Sequence, residues 1–112
     1  MTVIKLDADR ITDWKTFHDV FAEIFGFPDF YGRNLDAWID CMSSLDVQED
    51  AMTTVKAPPG GAVVLQLEGV DDFVRRCPEQ YEALVECAAF VNWRNLEAGR
   101  QAVLALAYYK HD

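Results

Sequence analysis

Three short apolar segments, far apart along the chain, constrain its fold more than any other feature. They are Thr2–Leu6, Ala62–Leu67 and Gln101–Tyr108, whose β-branched and apolar residues are typical of strands. Long segments with helical periodicity separate them, and such crossovers join parallel strands through right-handed connections. The last two segments are almost continuously apolar, so we expect both to be buried, Ala62–Leu67 on both faces. The pattern predicts a small α/β domain with a three-stranded parallel sheet.

Helical periodicity and capping residues predict the segments that connect the strands. In the first connection a helix begins after Thr12 or Asp13 and ends at Gly26. The predicted helical segments are Asp13–Phe25, about Asn34–Leu45 (the acidic helix), a short turn at Asp71–Arg76, and Glu79 to about Trp93. The core-facing stripe of the last helix is expected to contain Tyr81, Leu84, Val85, Ala88 and either Val91 or Asn92.

Residues 46–61 form a polar connection that ends in two prolines and two glycines, which exclude a helix or a central strand. A flexible surface loop is the common outcome for such a segment, but its position after the acidic helix also allows it to extend a binding surface. A chain of 112 residues suits one domain over residues 1–112, and the sequence contains no internal repeats.

The acidic helix has one apolar face and one polar face. At 100° per residue, Leu35, Trp38, Met42 and Leu45 share the face that we expect to pack on the core, with Ile39 at its edge. Asp36, Asp40 and Ser43 share the opposite face, which we expect to be exposed.

The two aspartates of this helix differ in how well the helix accommodates them. Asp36 lies in the first turn, where the helix dipole stabilises a carboxylate. Asp40 lies one turn further on, and like charges at this spacing cost about 0.2–0.5 kcal/mol. No neighbouring base in the sequence compensates this repulsion. A local rule that is broken without compensation indicates a candidate functional residue.

The net charge of −9 restricts the classes of partner. Binding to nucleic acid phosphates or to anionic membranes depends on Lys and Arg, so neither is expected here. Between residues 29 and 50 six acidic residues face a single base, Arg33. This concentration is consistent either with a solubilising surface or with a contact surface for a basic protein. No membrane-spanning segment or signal peptide is recognisable, so we expect the protein to be cytoplasmic.

The chemistry of an enzyme is not evident in this sequence. His18 and His111 are interpreted as ordinary surface histidines, and Cys41, Cys77 and Cys87 as reduced packing residues without metal-like spacing. No nucleotide-binding or zinc-protease motif is present. The aspartate pair lacks further ligands in its neighbourhood. We therefore expect no catalytic residues, no metal and no cofactor.

The segment around the acidic helix resembles a known family. Its pattern, Pro28-x-Phe30-Tyr31-Gly32-x-Asn34-Leu35-Asp36-Ala37-x-x-Asp40-Cys41, is similar to the signature of the barstar family of intracellular ribonuclease inhibitors. The resemblance implies a three-stranded parallel sheet flanked by helices. It also implies that the acidic helix and the preceding loop block a ribonuclease active site in a 1:1 complex. The matching contact positions are Phe30, Gly32, Asn34, Leu35, Asp36 and Asp40.

Further contact positions follow from comparison with the family pattern. Phe30 replaces a tyrosine, and Ile39 occupies the position before the second aspartate, where the family has an aromatic residue. The family has another acidic contact on its last helix, for which Glu79 and Glu82 are the candidates here. Together with Ile39 and Ser43, these acids complete the predicted partner-binding set.

The alternative function is a non-inhibitory acidic module, regulatory or scaffolding, that binds another basic protein. Self-protection, interbacterial immunity and a toxin–antitoxin pair are all compatible with the sequence of an inhibitor. The identity of the ribonuclease and the oligomeric state are likewise open at this level.

Overall fold

The computed structural model describes residues 2–110, which form a three-stranded parallel sheet and four α-helices. The strands lie in the order β1-β2-β3, with Thr2 opposite Val63 and Val63 opposite Leu104. The elements are β1 (Thr2–Asp7), a 3-10 turn (Ala8–Arg10), α1 (Trp14–Phe25), α2 (Leu35–Ser43), β2 (Val63–Glu68), α3 (Val70–Arg76), α4 (Pro78–Glu97) and β3 (Leu104–Tyr109). The predicted α/β class and parallel pairing are confirmed.

The central strand is fully buried on one face only. In β2, Val63, Leu65 and Leu67 are buried, whereas the alternate residues are half-buried. With right-handed connections, the order β1-β2-β3 places both crossovers on the same face of the sheet. The expectation that this strand is covered on both faces is therefore wrong.

The third strand is less buried than its composition indicates. Leu104 is buried, but Tyr108 and Tyr109 at the other end of β3 are exposed, because β3 lies at an edge of the sheet. Gln101, which is predicted to begin this strand, lies before it instead. Its Nε2 donates to the Pro58 carbonyl at 3.0 Å and anchors the loop that precedes β2.

The boundaries of α1 follow its capping residues. Asp13 caps α1 in a reciprocal capping box with Thr16, and Gly26 ends the helix with a φ of 68°. Glycine adopts this left-handed conformation at little cost. The last helix, α4, continues four residues beyond the predicted end, to Glu97.

The buried face of α4 is rotated from the predicted one. Its buried residues are Gln80, Leu84, Ala88, Val91 and Asn95, while Tyr81 and Val85 of the predicted stripe are half-buried. The rotation has a physical reason, because α4 packs on α2 as well as on β3. The buried Asn95 donates from Nδ2 to the Ser43 carbonyl at 3.1 Å, which satisfies a polar group at the helix contact.

The connection between α2 and β2 is held to the body of the protein. The Thr54 amide donates to the Phe25 carbonyl at 3.0 Å, and the Ala57 amide donates to the Leu45 carbonyl at 2.8 Å. Thr53 and Ala57 are buried, and Met52 packs against the core. Hydrogen bonds and burial thus anchor the middle of this segment and the part that follows it.

The remaining expectations concern the cysteines, membrane-spanning segments and His111. Cys41 and Cys77 are buried, Cys87 is half-buried, and all three are free thiols. Within residues 2–110, no helix is long and apolar enough to cross a membrane. His111 lies outside the described residues, so its predicted surface position stays a prediction.

Trp38 joins α2 to the core. Its side chain is fully buried, and its ring meets Phe21 of α1 edge to face, with the centroids 5.5 Å apart. Met42 and Leu45 are also buried, whereas Leu35 is half-buried. The predicted core-facing stripe of the acidic helix is thus confirmed for Trp38, Met42 and Leu45.

We expect Trp38→Ala to lower the free energy of unfolding by about 3–5 kcal/mol, because it removes a large side chain from a closely packed site. Trp93→Ala is the matched control, since Trp93 is more than half exposed on α4 and its loss should change stability by no more than about 0.5 kcal/mol. Urea unfolding of both variants provides the measurement. Equal losses for the two variants would contradict the central role of Trp38.

Candidate functional site

Both ends of α2 are fixed by side chains. At the start, the Asn34 side chain accepts a hydrogen bond from the Ala37 amide at 2.8 Å, as expected of an N-cap. At the end, the Ser43 carbonyl accepts from Asn95 Nδ2 at 3.1 Å and from Arg100 Nη2 at 2.7 Å. A cationic donor here also complements the negative end of the helix dipole. The exposed face of α2 therefore has a defined position.

That exposed face presents Asp36 and Asp40 to solvent, as predicted. The expectation that the charge of Asp40 is uncompensated is wrong. Arg94 on α4 donates from Nη2 to Asp40 Oδ1 at 3.2 Å. Because both side chains are about half exposed, this ion pair contributes little to stability. Asp40 is held in place while its carboxylate stays accessible.

A groove of about 540 Å³ lies between α2 and α4. One wall carries the two carboxylates and the other an aromatic ring and a guanidinium. The lining residues are Asp36, Ile39, Asp40, Phe90 and Arg94. Within residues 2–110, no group of three or more His, Cys, Asp or Glu side chains is placed to hold a metal ion. The groove combines negative charge with apolar surface, which suits a protein contact.

The loop before α2 projects an aromatic residue beside the carboxylates. Phe30 is 77% exposed, although it is a large apolar side chain.

A Cβ on Gly32 would lie 3.3 Å from Asn34 Nδ2 and 3.4 Å from Ala37 Cβ. A side chain at Gly32 would therefore crowd the cap of α2.

Arg33 holds this loop against α1. It has a φ of 56°, a left-handed conformation that costs a residue other than glycine about 1–2 kcal/mol. Its guanidinium donates to the Lys15 carbonyl at 3.2 Å and forms an ion pair with Asp19. The Lys15 ammonium also donates to Asp19, at 2.8 Å, and the hydrogen bonds that Asp19 accepts from Lys15 and Arg33 lower the pKa of its carboxyl. The strained backbone next to the Asn34 cap is held in place by these contacts.

A second, smaller cavity of about 190 Å³ lies on the other side of Asp40. Its lining comes from the loop before α2, from α2 itself and from the connection to β2. The residues are Pro28, Phe30, Tyr31, Gly32, Ala37, Asp40, Cys41 and Met52. The segment over residues 46–61 thus reaches the candidate site through the Met52 side chain.

His18 is buried and contacts the loop before α2. Its interpretation as a surface histidine is therefore wrong. It lies on the buried side of α1, and its Nδ1 shares a hydrogen bond of 2.5 Å with the buried Tyr31 hydroxyl. Burial, followed by the nearby charge of Arg33, lowers the pKa of His18. Burial also raises the pKa of the Tyr31 hydroxyl. The neutral pair fixes Tyr31, the neighbour of the exposed Phe30.

Ser43 does not belong to the exposed acidic face. It is buried, and its hydroxyl donates to the Ile39 carbonyl at 2.6 Å. The prediction failed because α4 covers the last turn of α2, where Asn95 and Arg100 meet the Ser43 carbonyl. Ser43 is therefore not available to a partner.

The structure also separates Glu79 and Glu82 from the aspartate pair. Both are exposed in the first turns of α4, whereas the groove is lined by Phe90 and Arg94 from the same helix. Glu82 precedes Phe90 by eight residues, which corresponds to about 12 Å along the helix axis. These two acids are outside the groove, and their predicted partner contact stays untested.

Sequence reasoning missed Phe90, Arg94 and Met52 as neighbours of the pair. Phe90 had a detectable signal, since Trp93 and Leu96 follow at helical spacing outside the predicted core stripe. Arg94 and Met52 have no comparable signal in the sequence, because only tertiary packing places them beside Asp40.

We expect the coupling between Asp40 and Arg94 to be about 0.2–1 kcal/mol, the range for exposed ion pairs. Asp40→Ala alone should change stability by no more than about 0.5 kcal/mol, because the lost pair is offset by relief of repulsion and by better helix propensity. A double-mutant cycle in urea measures the coupling, with the Asp36–Arg94 cycle as control. A loss above about 1 kcal/mol for Asp40→Ala alone would mean that Asp40 serves the fold.

We also expect His18 to make stability depend on pH. Because its folded-state pKa lies below the ordinary value, protonation favours the unfolded chain, and stability falls as the pH decreases through about 6.5. The slope cannot exceed about 1.4 kcal/mol per pH unit for one proton. Urea unfolding between pH 8 and 5 should show this decline in the wild type and a flatter profile in His18→Gln. Parallel profiles would rule out His18 as the source.

Comparison with known proteins agrees with the fold. The family model described as Barstar (barnase inhibitor) matches residues 1–106. A search of curated proteins gives no significant match. Since the family match covers almost all of the 112 residues, the chain belongs to the Barstar (barnase inhibitor) family.

Proposed function

We propose that the protein is a stoichiometric inhibitor of a basic ribonuclease, whose active site it blocks with α2 and the loop before it. The observation that carries the proposal is the accessible pair Asp36 and Asp40 on a helix that is fixed at both ends. Membership of a family of ribonuclease inhibitors supports the same conclusion.

The chemistry of RNA cleavage supports this assignment. A ribonuclease site holds phosphates with Lys, Arg and His side chains, and carboxylates can occupy those anion positions. Asp36 and Asp40 are one helical turn apart, about 6 Å along the axis. Two carboxylates at this spacing can engage cationic groups that are too far apart for a single carboxylate to contact.

Preorganisation favours tight binding at this surface. The Asn34 cap, the Arg33–Asp19 ion pair and the His18–Tyr31 hydrogen bond hold the loop and the start of α2. Little ordering of loop or helix is then needed on association, and the interaction energy is retained as affinity. The exposed Phe30 beside the carboxylates supplies apolar contact area.

The charge of the whole protein supports fast association with a basic partner. The net charge is −9, and the acids between residues 29 and 50 concentrate it around the candidate site. Such a surface raises the rate of encounter with a cationic partner, and added salt screens the effect. The barnase–barstar pair is the reference system for this behaviour.

The direct experiment is an inhibition assay with purified protein. The probes are barnase and any ribonuclease that the immobilised chain captures from an extract of its source cells, identified by mass spectrometry. We expect stoichiometric loss of ribonuclease activity at a 1:1 ratio. No inhibition of either enzyme would overturn the proposal, and capture of a basic protein without ribonuclease activity would favour the regulatory or scaffold module.

We expect Asp36→Ala and Asp40→Ala each to weaken binding to the inhibited ribonuclease by about 2–5 kcal/mol, mainly through faster dissociation, because each leaves a cationic group of the partner unpaired. Asp71→Ala is the matched control, since Asp71 is an exposed acid in the first turn of α3. Calorimetry and stopped-flow kinetics provide the measurements. Losses below about 0.5 kcal/mol for both variants would place the contact surface elsewhere.

A further inference from the structure

An aromatic surface on α4 remains unexplained by the acidic site. Phe90 is 44% exposed and Trp93 is 56% exposed, with their ring centroids 5.7 Å apart. Leu96, three residues further on, is 58% exposed. The spacing of three residues places these side chains on one face of the helix. We call Phe90, Trp93 and Leu96 the α4 apolar face.

The α4 apolar face is continuous with the groove between α2 and α4. Phe90 belongs to both, since it lines the groove together with Asp36, Ile39 and Asp40. Arg94, the residue after Trp93, is held by its ion pair with Asp40. A partner that covers the two carboxylates therefore meets Phe90 at the edge of the same groove.

We propose that the ribonuclease bound by Asp36 and Asp40 also covers Phe90 and Trp93, an inference that rests on the proposed function. The partner then carries an apolar patch beside its cationic active site. Aromatic residues supply much of the binding energy at protein interfaces, and they exclude water from neighbouring charge pairs. The α4 apolar face then adds a requirement that a cationic active site alone does not meet, so it discriminates among ribonucleases.

The charge distribution argues that the occupant is a basic protein and not a second copy of this chain. Exposed Glu86 and Glu97 lie on α4 around the apolar face, and Asp36 and Asp40 lie in the adjoining groove. Two copies of a chain with a net charge of −9 would bring these acids together. A cationic partner is attracted by the same residues.

The first test compares aromatic variants in binding to the ribonucleases used in the inhibition assay. Phe90→Ala and Trp93→Ala should each raise Kd about 10- to 100-fold, mainly through faster dissociation, with an unchanged urea midpoint. Tyr109→Ala is the control. Tyr109 is 48% exposed and, by strand alternation, lies on the face of the sheet opposite to the buried Leu104, away from the helices. Its Kd should stay within about twofold of the wild type.

The second test measures coverage directly. Hydroxyl-radical oxidation of Phe90 and Trp93, read by mass spectrometry, should fall in the complex, while oxidation of Tyr109 should not change. If the wild type binds but Trp93→Ala binds equally well and Trp93 stays reactive, the inference fails and the proposed function stands. If the wild type binds neither ribonuclease, both fail. A free chain that sediments as a dimer, and as a monomer after Trp93→Ala, would assign the face to a second copy and overturn the inference.

Discussion

Trp38 is buried against Phe21, and helical periodicity then places Asp36 and Asp40 on the solvent side of the same short helix. The orientation of α2 depends on this burial. The hydrogen bond that Asn95 donates to the Ser43 carbonyl, in the last turn of α2, sets the position of α2 along α4. Packing of the apolar face of α2 thus fixes the positions of the two carboxylates, although neither carboxylate belongs to the core.

The environment of Asp40 reconciles stability with accessibility. A second aspartate one turn after Asp36 repels the first, and Arg94 from another helix reduces that penalty without burying the carboxylate. A buried ion pair would hide the Asp40 carboxylate from a partner and would carry a desolvation penalty that the exposed pair largely avoids. The exposed pair with Arg94 keeps the charge oriented and available, which is what a preorganised binding surface requires.

Features that depend on neighbours in the sequence were predictable. The cap at Asn34, the core position of Trp38 and the exposure of the two aspartates all follow from local rules. The failures have tertiary causes. Ser43 has the right helical phase for the exposed face, but α4 covers it, and His18 is buried on α1 with the Tyr31 hydroxyl, from another segment, as its hydrogen-bond partner.

The sequence by itself determined the class of fold, the parallel pairing of the strands and the acidic helix, because strand composition, the length of the crossovers and the helix caps are properties of continuous segments of the chain. Only the tertiary structure decided what surrounds Asp40. Arg94 and Phe90 are more than fifty residues away along the chain from Asp36, and they reach the groove because α4 packs on α2. Contacts between distant residues depend on how helices pack, and no local pattern encodes that geometry.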